Sequence, residues 1–233
     1  MPYFIENFID QFRLNFITEN RWQYILKGLG NTIIISLLAV VVGIAIGFLV
    51  AIIRSNHDKT GHMKVANAIC RIYLTVIRGT PTMIQLLIIY YVIFATVNVP
   101  KLVVAFVTFG LNSGAYVAEI IRSGIMAVDD GQFEAGRSLG LNYKQTMRYI
   151  VMPQAFKNVL PALGNEFIVL LKETSISGYI GLNDLTHGGD IIRSNTFSAM
   201  MPLFAVAIIY LILVMGLSSC MNRLERRLRA NER

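Results

Sequence analysis

From Asn31 to Ile53 the chain carries no charged side chain and few polar ones. A helix rises about 1.5 Å per residue, so a segment of this length crosses the ~30 Å hydrocarbon core of a bilayer. The rest of the chain agrees with a membrane fold. Of 233 residues, 55% are hydrophobic and 15% charged, against about 25% charged in soluble domains. Four more apolar segments follow, at Pro81–Val97, Leu102–Ile121, Val159–Leu171 and Met200–Met221. The segment at Val159–Leu171 is the weakest, interrupted by Gly164, Asn165 and Glu166. The expected fold is an all-α membrane protein with about five transmembrane helices in one domain.

The formal net charge is +7. No basic stretch is interleaved with aromatics that could stack on bases, so nucleic acid is not an expected partner. The charge reports topology instead. The segments after the first, third and fifth spans hold Arg54, Lys59, Lys64, Arg71, Arg78, Arg122, Arg137, Lys144, Arg148, Lys157, Arg223, Arg226, Arg227, Arg229 and Arg233. The opposite side keeps Arg13, Arg21, Lys27, Lys101, Lys172 and Arg193. Positive charge stays in the cytoplasm, which predicts the N-terminus outside and the C-terminus inside.

Residues 1–27 read as an outer-face amphipathic segment, with Phe4, Phe8, Phe12, Phe16 and Trp22 suited to the membrane interface. They lack the basic head and apolar core of a secretory leader. Residues 28–222 form the membrane domain, with a cytoplasmic loop at about 124–153, and 223–233 a basic cytoplasmic tail. Val65–Ile77 has apolar residues at helical spacing, so it lies at the inner interface or begins the second span. Arg78-Gly79-Thr80-Pro81 then supplies a turn and a helix start.

The loop carries the pattern that points to function. Glu134-Ala135-Gly136 is followed after three residues by Gly140 and after nine more by Ile150-Val151-Met152-Pro153. It predicts a short helix ended by Gly140 and a second one capped by Asn142. Phe133, Ala135 and Leu139 are expected to share an apolar side. This stretch resembles the EAA loop of ABC-importer permeases, with Gly136 in place of the third-position Ala and Met152 in place of Leu. The resemblance implies the type I, MetI-like permease fold and makes this segment a coupling helix that docks on a separate ATPase subunit. Glu134, Ala135, Gly136, Arg137, Gly140, Leu141 and Pro153 are the matching coupling residues. It also implies a bacterial inner-membrane location, a second permease subunit, identical or related, and an external solute-binding protein. ATP and Mg are expected on the ATPase subunit, with no cofactor in this chain.

A second resemblance covers about residues 28–229. Arg78-Gly79-Thr80-Pro81, Ala115-Tyr116-Val117-Ala118-Glu119-Ile120-Ile121-Arg122, Pro161–Phe167 and Lys172-Glu173-Thr174-Ser175 are similar to the polar amino-acid permeases, whose substrates include glutamine, histidine, arginine, cystine and opines. The implied substrate is a polar amino acid.

Ionisable groups inside spans are costly and mark a pathway or a bundle interior. Asn112, Tyr116 and Glu119 share a helical face, Asn165 and Glu166 interrupt the fourth span, and Lys172, Glu173 and Thr174 close it. These are the candidate pathway residues. For Glu119 the alternative is a structural pair with Arg122. Gly43 and Gly47 form a small-residue packing face. Cys70 and Cys220 read as small buried hydrophobes. His57 and His62 fall in a hydrophilic loop and His187 in an outer one, without metal-ligand spacing. No phosphate-binding Gly-x-x-x-x-Gly-Lys-Ser/Thr loop or catalytic constellation appears, so the chain is not expected to be an enzyme. The rival readings are a transporter or channel driven by an ion gradient through Glu119 and Glu166, and a non-transporting membrane scaffold.

Overall fold

A computed structural model describes residues 2–230, and side chains throughout these except at residues 2–5, 59, 60, 229 and 230. The side chains of Phe4, Lys59 and Arg229 and the whole of Arg233 therefore lie outside the described part. The described residues contain helices and no strand. Ten α-helices follow in order: α1 (Pro2–Phe12), α2 (Trp22–Thr60), α3 (Lys64–Gly79), α4 (Thr82–Ile88), α5 (Lys101–Met126), α6 (Gly131–Ser138), α7 (Tyr143–Thr146), α8 (Met152–Glu173), α9 (Leu185–Thr196) and α10 (Met200–Ala230).

Among the described residues, three helices are long and apolar enough to cross a membrane: α2, α5 and α10. A fourth span results if α3 and the stretch Thr82–Ile93 are taken as one broken helix. The remaining expected span falls within α8, which has the length, 22 residues. Lys157, Asn165, Glu166, Lys172 and Glu173 lower its hydropathy. The first span is longer than expected because α2 continues through Arg54 and His57 to Thr60. His57 thus sits in a helix, and only His62 lies in the link to α3.

The chain divides into two compact units. One comprises residues up to 39, 82–109 and 169–217. Its backbones come close where α2 meets the start of α9. A Cβ at Gly28 would collide with the Asp184 carbonyl, and one at Gly188 would sit 2.5 Å from the Tyr24 carbonyl oxygen. Polar links seal the contact: Asn31 Nδ2 donates to the Asn183 carbonyl at 2.7 Å, and the Leu185 N–H donates to Thr32 Oγ1 at 3.0 Å. Asp184 caps α9, accepting from the Thr186 and His187 N–H groups. His187 is therefore in the first turn of a helix rather than a loop. Asn15 is buried and bonded to Thr196 and Ser198.

The other unit comprises residues 40–81, 110–168 and 218 onward. Gly43 and Gly47 let α2 lie directly on α5: a Cβ at Gly43 would be 2.8 Å from Ser113 Oγ, and one at Gly47 2.6 Å from Val117 Cγ1. Such small-residue faces are a general device for close helix packing in membranes. Val50, Cys70, Leu74, Ala115 and Ala118 bring α2, α3 and α5 together. Ala51, Val117, Ile121 and Val159 add α8. Cys70 is buried as expected, whereas Cys220 is exposed on α10 in the single chain.

Candidate functional site

The Glu134 segment folds as helix, break, helix. Gly131–Ser138 forms α6, and Gly140 stands at φ +76°, a conformation that favours glycine. The Leu141 N–H donates to the Gly136 carbonyl at 3.0 Å and the Gly140 N–H to the Arg137 carbonyl at 2.9 Å. This pair of bonds is a Schellman ending, which satisfies carbonyls that the helix would leave open. Asn142 and Gln145 form a reciprocal capping box at the start of α7. A π-helical turn, Met147–Val151, joins α7 to α8, and Pro153 lies in the first turn of α8.

The two short helices are locked to each other. Phe133 and Tyr143 stack with centroids 6.0 Å apart and planes 3° from parallel. Gly136 is buried, and a Cβ there would lie 2.5 Å from Thr146 Cγ2. The departure from Ala at this position thus has a local cause, since Thr146 occupies the space. Val128, Val151 and Ala155, with Phe133 and Met147 against them, tie the segment to the ends of α5 and α8.

Phe133, Ala135 and Leu139 do not share an apolar side. At about 100° per residue, Ala135 and Leu139 point away from Phe133. Phe133 packs inward, while Ala135 and Leu139 are exposed, Leu139 at 75%. Glu134 and Arg137 are exposed as well, so the surface of the segment offers both charges and apolar side chains.

The pathway candidates are distributed over both units. Asn112, Tyr116, Glu119, Asn165 and Glu166 belong to the unit containing residues 110–168, and Lys172, Glu173 and Thr174 to the other. Ser113 donates to Glu166 Oε1 at 2.8 Å, linking α5 to α8. Asn165 is exposed, on a different side of the helix from Glu166. Asn112 is buried and Tyr116 exposed. Glu119 accepts from Arg122 Nη2 at 2.8 Å and lies 4.0 Å from Arg78. The Arg78 guanidinium also sits 5.7 Å from the centre of the Tyr116 ring. Glu119 is thus the hub of an ion-pair cluster, in line with its structural alternative. At the end of α8, Thr174 is buried and its hydroxyl donates to the Leu171 carbonyl, while Lys172 is exposed.

Three participants escaped the sequence. Ser113 is one small polar residue in an apolar span and has no distinguishing neighbour pattern. Arg78 stands in the Arg78–Pro81 motif and among the topology charges, but its role as a partner of Glu119 emerges only once α3 packs on α5. Thr146 gives no signal, because its role depends on the turn at Gly140.

Comparison with known proteins places this geometry. Residues 43–230 match the family described as "Binding-protein-dependent transport system inner membrane component". The chain is 37% identical over 208 residues to the glutamine transport system permease protein GlnP of Escherichia coli K12, covering 88% of this chain and 93% of that protein. It is 38% identical over 210 residues to a putative glutamine transport system permease protein of Rickettsia felis, covering 89% and 94%. In solved structures, a chain of an amino acid ABC transporter with histidines matches at 41% identity and TM-score 0.83, over 91% of this chain and 98% of that one. A chain of the inward-facing MetNI methionine ABC transporter matches at 19% identity and TM-score 0.73, over 89% and 97%, and so shares the fold. The chain therefore belongs to the family of inner-membrane permease components of binding-protein-dependent transport systems, and it has the all-α fold of ABC-importer permeases.

Proposed function

We propose that this chain is the membrane-spanning subunit of an ATP-driven importer of polar amino acids, and that Gly131–Pro153 is its contact with a separate ATPase. The observation that carries this reading is the 37% identity to a glutamine transport permease over 88% of the chain. The charge distribution supports an inner-membrane arrangement with the N-terminus outside and the coupling segment in the cytoplasm. Two permease subunits, identical or related, form the pathway across the bilayer. An external solute-binding protein delivers the amino acid, and two ATPase subunits hold ATP and Mg.

The segment is suited to transmit force because its two short helices pack directly on each other. Closure of the ATPase pair displaces the exposed side chains of the segment, at Glu134, Ala135, Arg137 and Leu139. The Gly136–Thr146 packing and the Phe133–Tyr143 stack carry α7 with α6. The Val128–Val151–Ala155 cluster passes the movement to α5 and α8. Those helices hold Ser113 and Glu166, a polar pair fit to face a substrate amine or guanidinium. Import requires that the ATP-bound ATPase favours the outward-open form over the inward-open one, since a partner shifts an equilibrium only by its differential affinity.

The test is reconstitution of the full chain with a cognate ATPase and solute-binding protein. Uptake of labelled glutamine, histidine, arginine and cystine into proteoliposomes is measured with and without ATP. ATP-dependent uptake that also needs the binding protein is expected. Uptake driven by a proton or sodium gradient alone would establish the rival mechanism instead.

A further inference from the structure

We propose that the cleft between the end of α2 and the polar face of α3 holds the headgroup of an anionic phospholipid. The cleft has a volume of about 530 Å³ and is lined by Arg54, Arg71, Leu74, Thr75, Arg78 and Gly79. Three guanidinium groups converge there. The neighbouring carboxylate, Glu119, is already engaged by Arg122 and Arg78. Arg54 and Arg71 form no ion pair among the described residues, so the cleft keeps an excess of positive charge. Arg54 Nε is moreover buried and donates to no protein acceptor. An unpaired buried donor is unfavourable, and a shift of the Arg54 side chain toward the cleft would let a phosphate oxygen accept from it. Arginine is the side chain best shaped for phosphate.

The second observation is the pattern of α3. Arg71, Thr75 and Arg78 share one face, while Asn67, Cys70 and Leu74 are buried on the next. Val65, Ile69, Ile72 and Val76 form a third face, apolar and exposed. A cationic strip thus runs alongside an apolar one on a single helix. A phospholipid has the same two parts, a charged head and apolar tails. A soluble anion would use the cationic strip alone. Basic pockets between helices at a membrane boundary are general binding sites for anionic headgroups.

The full chain, purified in detergent, is titrated with phosphatidylglycerol, cardiolipin and phosphatidylcholine, and bound lipid is counted by native mass spectrometry. The anionic lipids should be retained in preference to phosphatidylcholine. Replacing both free arginines, R54Q/R71Q, should weaken their binding about thirtyfold. R71Q alone, at an exposed position, should give a smaller loss with an unchanged melting temperature. R226Q/R227Q removes equal charge from the tail and should leave most of the binding intact. Equal retention of phosphatidylcholine, undiminished binding by R54Q/R71Q, or an equal loss in R226Q/R227Q would overturn the proposal. Displacement of the lipid by millimolar inorganic phosphate would also overturn it, in favour of a free-anion site. So would loss of the lipid once the chain is assembled with its ATPase, which would make the cleft a subunit interface.

Discussion

Thr146 stands where a side chain on Gly136 would be: its Cγ2 and Oγ1 lie 2.5 and 2.6 Å from an ideal Cβ at that position. This contact holds α6 and α7 at their spacing. Gly136→Ala should force them apart, with a cost of about 1–3 kcal/mol for overpacking. ATP-driven uptake should fall while the amount of protein in the membrane stays near normal. Thr146→Ala removes both clashing atoms, so the double variant should recover much of the loss. A double-mutant cycle on uptake measures this coupling, and simple additivity would mean that the contact does not matter.

Gly140 makes a separate demand. No atom lies within 4 Å of a Cβ there, so a substitution meets only backbone strain at φ +76°. Gly140→Val should cost about 1–2 kcal/mol and lower uptake at unchanged expression. Gly140→Asn, which tolerates this conformation, should stay close to the parent. Equal uptake by the valine and asparagine variants would show that the turn conformation does not control coupling.

Ser113 and Glu166 join α5 to α8 through one hydrogen bond of 2.8 Å. Glu166→Gln keeps an acceptor for Ser113 and removes the charge. If the pair faces the pathway, uptake of arginine should drop several-fold more than uptake of glutamine, normalised to assembled protein. A loss of thermal stability with unchanged substrate preference would assign the pair to packing alone.

Asp184 predicts a pH effect outside the spans. Burial raises its carboxyl pKa from 3.8 to about 6, opposed by N–H bonds from Thr186 and His187. The folded state therefore binds the proton more tightly than the unfolded one. This stability contribution is complete below about pH 3.8 and is lost as pH rises through about 6. The melting temperature in detergent should fall across that window. Asp184→Asn keeps a helix cap and has no charge to bury, so its melting temperature should fall less. Parallel curves for the two proteins would refute the assignment.

Topology can be read with single cysteines in a Cys220→Ser background, since Cys220 is exposed and Cys70 buried. Lys144→Cys should react with an impermeant thiol reagent only from the cytoplasmic side. Phe197→Cys, at a position 96% exposed, should react only from outside. The reverse pattern would overturn the orientation drawn from the charges.

The sequence by itself determined what depends on local order along the chain. Apolar length marked the α2, α5 and α10 spans, because crossing a bilayer is a requirement on consecutive residues. The break at Gly140 and the cap at Asn142 were legible because both act within one turn of backbone. Only the tertiary structure decided matters that join residues distant in sequence. The partnership of Ser113 with Glu166 bridges two helices, and no spacing rule links them. Arg78 reaches Glu119 because α3 packs on α5. The side to which Phe133 turns was set by the hydrophobic cluster at Val128 and Val151, not by apolar character shared with Ala135 and Leu139. The reason is common to all three cases: sequence period assigns a residue to a face of its own helix, and packing against other helices decides what that face meets.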